Sequence, residues 1–207
     1  TPYAALAQQL QAYEQTESLL PLESTLDKVL LETMWRQVEA GGPLQVLQPF
    51  FAARIDALTI KILMRAKRDH LLLSDIESCI ISGGHASQRL IRAFDEVDDV
   101  SALASELEGS AYYKPVMDAL ADYDRHGSLF ALEKVLDETA LAIGRDTAVK
   151  QPYGIAPVLG FLARKDVEVR NIRAISRAKE AGLAPEYIRE LVDDGMVSSQ
   201  GRGRSGS

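Results

Sequence analysis

Apolar residues in this chain recur at helical spacing. Leu6, Leu10 and Tyr13 keep one face, and Leu19, Leu22, Leu26, Val29 and Leu30 keep another. Ile60, Leu63 and Met64 repeat the pattern and are followed by Arg65 and Lys67, where cations suit the negative end of a helix dipole. Ile172, Ile175, Ala178 and Lys179 restate the same design on a helix expected over Val167 to Ala181. No alternating run persists long enough to predict a strand, so the expected fold is all-α. Gly41-Gly42-Pro43, Gly83-Gly84, Gly182 and Gly195 read as helix stops, and Pro185 as the opening of a final helix. Asp95 to Asp99 reads as an acidic loop. From Ser198 the chain is polar and glycine-rich, so 196–207 is expected to be a disordered tail.

The pattern also repeats at long range. At an offset of 110, Tyr3 falls on Tyr113, Leu10 on Leu120 and Tyr13 on Tyr123. Ser18-Leu19 then meets Ser128-Leu129, Leu22-Glu23 meets Leu132-Glu133, and Leu26-Asp27 meets Leu136-Asp137. Over these 25 positions nine residues are identical, where about two would arise by chance. At an offset of 112, Ile60 matches Ile172, and Arg65-Ala66-Lys67 matches Arg177-Ala178-Lys179. Leu71 then matches Leu183, and Ile76 matches Ile188. Conserved order implies duplication: a helical repeat over 1–110 and a second over 111–195, with 3–83 expected to superpose on 113–195.

Composition narrows the function. With 46% hydrophobic and 26% charged residues over 207 positions, the chain has the balance of a folded globular protein. A net charge of −7 argues against general nucleic-acid binding, which needs a basic surface. No apolar run reaches membrane-spanning length; the most apolar stretch, Tyr153 to Ala163, is short and interrupted by Pro157. The chain starts at Thr1 without an initiator Met or a signal-peptide pattern, and is expected to be cut from something longer or processed. Cys79 stands alone, which excludes an internal disulfide and a cysteine zinc cluster, and it is expected to be buried as a packing residue.

Catalytic chemistry finds no purchase. His70, His85 and His126 have no companions at metal-ligand spacing, so no metal is expected. Gly83-Gly84 lacks the further glycine and the lysine of a phosphate loop, so neither nucleotide nor another cofactor is expected. Asp98-Asp99 and Asp193-Asp194 read as solvated charge.

One constellation stands out. Arg170, Arg173 and Arg177 share a helix face, and Lys61 and Arg65 stand at the positions matching Arg173 and Arg177. Arginine's planar fork favours bidentate pairing with carboxylates, so these five are candidate contacts for an acidic partner. A solvated or salt-bridged helix surface accounts for the same residues. Asp56 and Glu168 are matched acids one turn upstream, and Thr59 stands where the second copy has Asn171.

These residues also carry a family likeness. The stretch Asp56 to Lys67 resembles an acid-x-x-Asn-Leu-Lys-x-x-Leu-Arg-Ala-Lys signature of the C subunits of A/V-type ATP synthases, a family that includes the d subunits of V-ATPases. Tyr153 to Leu162, Lys165, Glu168 to Arg173, Arg177-Ala178-Lys179, Gly182-Leu183 and Ile188-Arg189 are similar to its last repeat. Thr59, in place of Asn, departs from the signature. The resemblance implies two of the family's three pseudo-symmetric repeats, the second and third, in a funnel-like helical bundle. It further implies a non-catalytic member of the central rotor of a proton- or sodium-translocating rotary ATPase, peripheral on the cytoplasmic side of the membrane. Such a protein couples the central stalk to the proteolipid ring and meets the membrane only through that ring. A generic helical-repeat adaptor explains the duplication equally well but not the ordered match in the second copy. An enzyme with a site between repeats would require a cleft of converging polar groups.

Overall fold

The computed structural model describes residues 20–150 and 153–192, and every regular element among them is helical. In chain order they are α1 (Leu20–Glu39), α2 (Gln48–Arg68), α3 (Leu73–Ile76), α4 (Ala86–Ala93), α5 (Val100–Ser105), α6 (Tyr113–His126), α7 (Phe130–Lys150), α8 (Ala156–Glu180) and α9 (Pro185–Leu191). Short 3-10 turns occupy Gly42–Leu47 and Glu77–Cys79. The periodic face at Leu6, Leu10 and Tyr13, the pair Asp193-Asp194 and the tail from 196 lie outside the described residues.

Two compact units divide at Thr147 and Ala148, inside α7. The core of the first is organised by α2. Its face carrying Ile60, Leu63 and Met64 is fully buried against Leu90 and Phe94 around α4, Leu103 and Leu107 at α5, and Leu132 and Leu136 of α7. Removing each such side chain from water contributes about 1.5–3 kcal/mol, which explains the strict apolar register of α2. A smaller cluster joins Leu31 and Trp35 of α1 to Ala52 and Ile55 of α2 and to Ile81. In the second unit α9 packs back on α8.

Two pairs of helix ends recur at the offset of 112 seen in the sequence. The C-termini of α2 and α8 at Arg68 and Glu180 are offset by 112. So are the starts of α3 and α9 at Leu73 and Pro185. Both α2 and α8 close with the same turn. His70 N–H donates to Lys67 O and Leu71 N–H to Ala66 O, while Gly182 N–H donates to Lys179 O and Leu183 N–H to Ala178 O. That 6→1 and 5→2 pairing puts one residue in the left-handed region. It is His70 in the first copy, at φ 54°, and Gly182 in the second, at φ 70°.

Three expectations need correction. Cys79 is exposed, because helix α3 ends at Ile76 and Cys79 closes a surface 3-10 turn. Pro157 does not interrupt the apolar stretch. It sits in the first turn of α8, where a missing N–H costs nothing, and the helix expected from Val167 therefore starts at Ala156. Gly83-Gly84 ends no helix; both residues adopt positive φ in the entry to α4.

Candidate functional site

The polar residues of α2 hold α4 at both ends. Asp56 is buried on the core side of α2, and its carboxylate accepts from the backbone N–H groups of His85 at 2.9 Å, Ala86 at 3.1 Å and Ser87 at 2.9 Å, and from Ser87 Oγ at 2.6 Å. These are orphan amides of the first turn, so an acid on another helix does the work of an N-cap, and α4 has no side-chain cap of its own. Close approach requires Gly84, where a Cβ would collide with the Asp56 carboxylate, and Gly83, where it would meet the Trp35 ring at 2.9 Å. His85 sits edge-on to Trp35, with ring centroids 5.8 Å apart.

Eleven residues along α2, Lys67 serves the opposite end. Its Nζ donates to Phe94 O at 2.6 Å and Val97 O at 3.0 Å and lies 4.0 Å over the Phe94 ring. A carboxylate at the N-terminus and an ammonium at the C-terminus both complement the dipole of α4. A cleft of about 410 Å³ opens beside this clamp, lined in part by Ala52, Asp56, His85, Arg89 and Tyr112. The Asp56 carboxylate there is committed to four donors. The Tyr112 hydroxyl donates to Ala53 O at 2.8 Å, and burial holds it well above the ordinary tyrosine range. Both of these groups thus serve the structure of the cleft.

The candidate basic residues divide by unit. Lys61 pairs with Asp137 at 2.7 Å. Arg65 grips Glu133 through two parallel bonds, Nε to Oε1 at 2.6 Å and Nη2 to Oε2 at 2.7 Å, and that carboxylate raises the pKa of Arg65 above its usual value. Both cations are therefore engaged within the chain, by acids of α7, the helix that falls early in the second copy. Arg170, Arg173 and Arg177 lie on exposed positions of α8. Arg170 and Asn171 have partners within the chain. Arg173 and Arg177 form no ion pair among the described residues. Glu168, the match of Asp56, is exposed and pairs only locally with Lys165, at 2.6 Å. The capping role of Asp56 escaped the sequence reading. Its one signal was an acid upstream on a buried apolar helix, with Gly-Gly and a serine some thirty residues later.

A family model described as "ATP synthase (C/AC39) subunit" matches residues 1–191. The chain belongs to this family. The C subunit of the A-type ATP synthase of Methanothermobacter thermautotrophicus is 36% identical over 199 residues, spanning 93% of this chain and 51% of that protein. Its counterpart in Methanobrevibacter smithii is 34% identical over 93% of this chain and 51% of its own. That of Pyrococcus abyssi is 30% identical over 86% and 48%. The chain thus spans about half the length of the curated relatives it matches. No solved structure matches it.

Within this C/AC39 chain the residues that carried the resemblance have distinct tasks. In Arg65-Ala66-Lys67, arginine joins α2 to α7, alanine is buried in the core, and lysine closes α4. Among the described residues no three His, Cys, Asp or Glu side chains gather as a metal site, and no helix is long and apolar enough to cross a membrane.

Proposed function

We propose that this chain acts as a non-catalytic coupling element of an A-type rotary ATP synthase, joining the central stalk to the proteolipid ring on the cytoplasmic side of the membrane. The observation that carries this reading is the family match across 1–191, together with relatives named as C subunits of A-type ATP synthases. An all-helical chain whose conspicuous charges clamp helices to one another is suited to carrying torque. The two-repeat description, with boundaries at 110 and 195 and a funnel-like arrangement, belongs to the same proposal. It is supported by the recurrence of helix ends and of the closing turns of α2 and α8.

The test is reconstitution. Tagged chain mixed with solubilised rotary ATPase components should retain central-stalk and ring proteins after washing, and recovery of neither overturns the proposal. Calorimetric titration of the isolated chain with Mg-ATP should show no saturable binding. Phosphate recognition needs clustered amides at a glycine-rich helix start with a lysine nearby, and the amides at the start of α4 are occupied by Asp56.

A further inference from the structure

The contact of α2 with α7 runs along one antiparallel line. Arg65 meets Glu133, Lys61 meets Asp137, and the Phe50 ring lies against Gly144, so the numbers rise on one helix as they fall on the other. All of these residues belong to the first unit. At Gly144 an added Cβ would stand 3.1 and 3.3 Å from Cδ2 and Cε2 of Phe50, closer than ordinary van der Waals contact. Glycine is a poor helix former, so its place inside the 21-residue helix α7 needs a reason, and the ring supplies one.

Neither the apolar face of α7 nor its acids alone fix where it sits. Its core-facing residues recur every turn, at Leu132, Leu136, Ala140 and Ile143. Its acids recur too, at Glu133 and Asp137, one turn apart like Lys61 and Arg65. Shifted by one turn in either direction, α7 would keep one ion pair and lose the other. Asp137 would reach Arg65 with Leu141 beside Lys61, or Glu133 would reach Lys61 with Leu129 beside Arg65. Under Phe50 the same shifts would bring Ala148 or Ala140, each with a methyl where the glycine has none. Helix α1 is a natural control. It repeats Leu-Glu-x-x-Leu-Asp over 22–27, yet beyond Asp27 the place of Gly144 is taken by Met34. Its cluster with α2 uses a different face, in which Leu31 and Trp35 join Ala52 and Ile55. We propose that Phe50 and Gly144 form a knob and notch that fix the register of α7 on α2, and that Lys61 and Arg65 find their acids because of it. The knob and notch stand on these contacts alone, independently of the rotor reading.

A carbodiimide, which joins a lysine amine to a carboxylate in contact with it as an amide, reports the register in the full chain. After digestion, mass spectrometry should find Lys61 coupled to Asp137 in the wild type. Gly144→Met, which gives α7 the residue of α1, should lower that yield at least about tenfold. It should also lower the melting temperature, although methionine favours a helix more than glycine does. Adding Phe50→Ala to the same chain moves the knob to α7 and the notch to α2, and should restore the product to within about twofold of wild type. An unchanged yield or a raised melting temperature in Gly144→Met overturns the proposal. So does a double variant that fails to recover the product, because the loss would then come from damage to the helix rather than from the fit. That comparison decides the matter even where the single variant does not fold.

Discussion

Helices α2 and α8 carry similar residue types at an offset of 112 and differ in surroundings at several of the matched positions. Along α2 the acid at 56, the apolar residues at 60, 63 and 64 and the base at 67 are each met by a partner: the α4 amides, the core and the α4 carbonyls. Along α8 the matching Glu168, Ile172 and Lys179 are exposed. Similar residue types thus carry very different energetic weight. The difference lies in what packs on them rather than in the helix itself.

The largest effect should separate the two acids. Asp56→Ala strands three backbone amides and the Ser87 hydroxyl in a buried setting, and should cost about 3 kcal/mol, a drop of about 10 °C in melting temperature for a chain of this size. Glu168→Ala removes only a local exposed pair and should stay within about 0.5 kcal/mol of wild type. Paired urea and thermal melts measure both. Equal losses in the two variants would mean that α8 has a buried partner after all and would dissolve the contrast.

This contrast also marks the limit of what could be read from residues alone. The helical class and the register of α2 were legible because apolar periodicity is set by the helix itself. The recurrence at offsets of 110 and 112 was legible because it survives as identities. Lys61 and Arg65 stood out as candidate contacts for an outside partner, but the acids that hold them within the chain were not visible. Glu133 and Asp137 lie about seventy residues away and meet them only after α7 docks. Cys79 was misplaced because the segment from Ile76 to Ile81, with isoleucines at 76, 80 and 81, can continue a helix or leave it, and the short α3 leaves it. The buried role of Asp56 was hidden by its chemistry, since an acid on a helix is ordinarily solvent-facing. Only a set of unpaired amides brought to it by tertiary packing makes burial favourable.

A smaller effect should come from the position that departs from the family signature. Thr59 is fully buried and its hydroxyl has no hydrogen-bond partner, whereas the matching Asn171 has partners within the chain. A buried hydroxyl without a bond is destabilising relative to a methyl of the same shape. Thr59→Val keeps the β-branched outline and should raise stability by about 1 kcal/mol in denaturant titration. A loss of that size instead would mean that the hydroxyl is satisfied in solution, by water.

The smallest effect is the most symmetrical, because each copy supplies the control for the other. The turns closing α2 and α8 use the same pair of backbone bonds, yet one places His70 at φ 54° and the other Gly182 at φ 70°. A side chain in the left-handed region crowds its own backbone, which glycine avoids. His70→Gly should therefore stabilise by about 0.5–1 kcal/mol, less than the full steric relief because glycine also gains freedom in the unfolded chain. Gly182→Ala should destabilise by a similar amount, about 1 kcal/mol. Nothing lies within 4 Å of a Cβ built at Gly182, so any loss there is conformational rather than a clash. The two changes exchange residue character between duplicate turns, so opposite signs are required if the turns share one geometry. Matching signs in chemical denaturation would show that His70 draws compensation from its surroundings that Gly182 lacks, and the likeness of the two helix ends would then stop at the backbone.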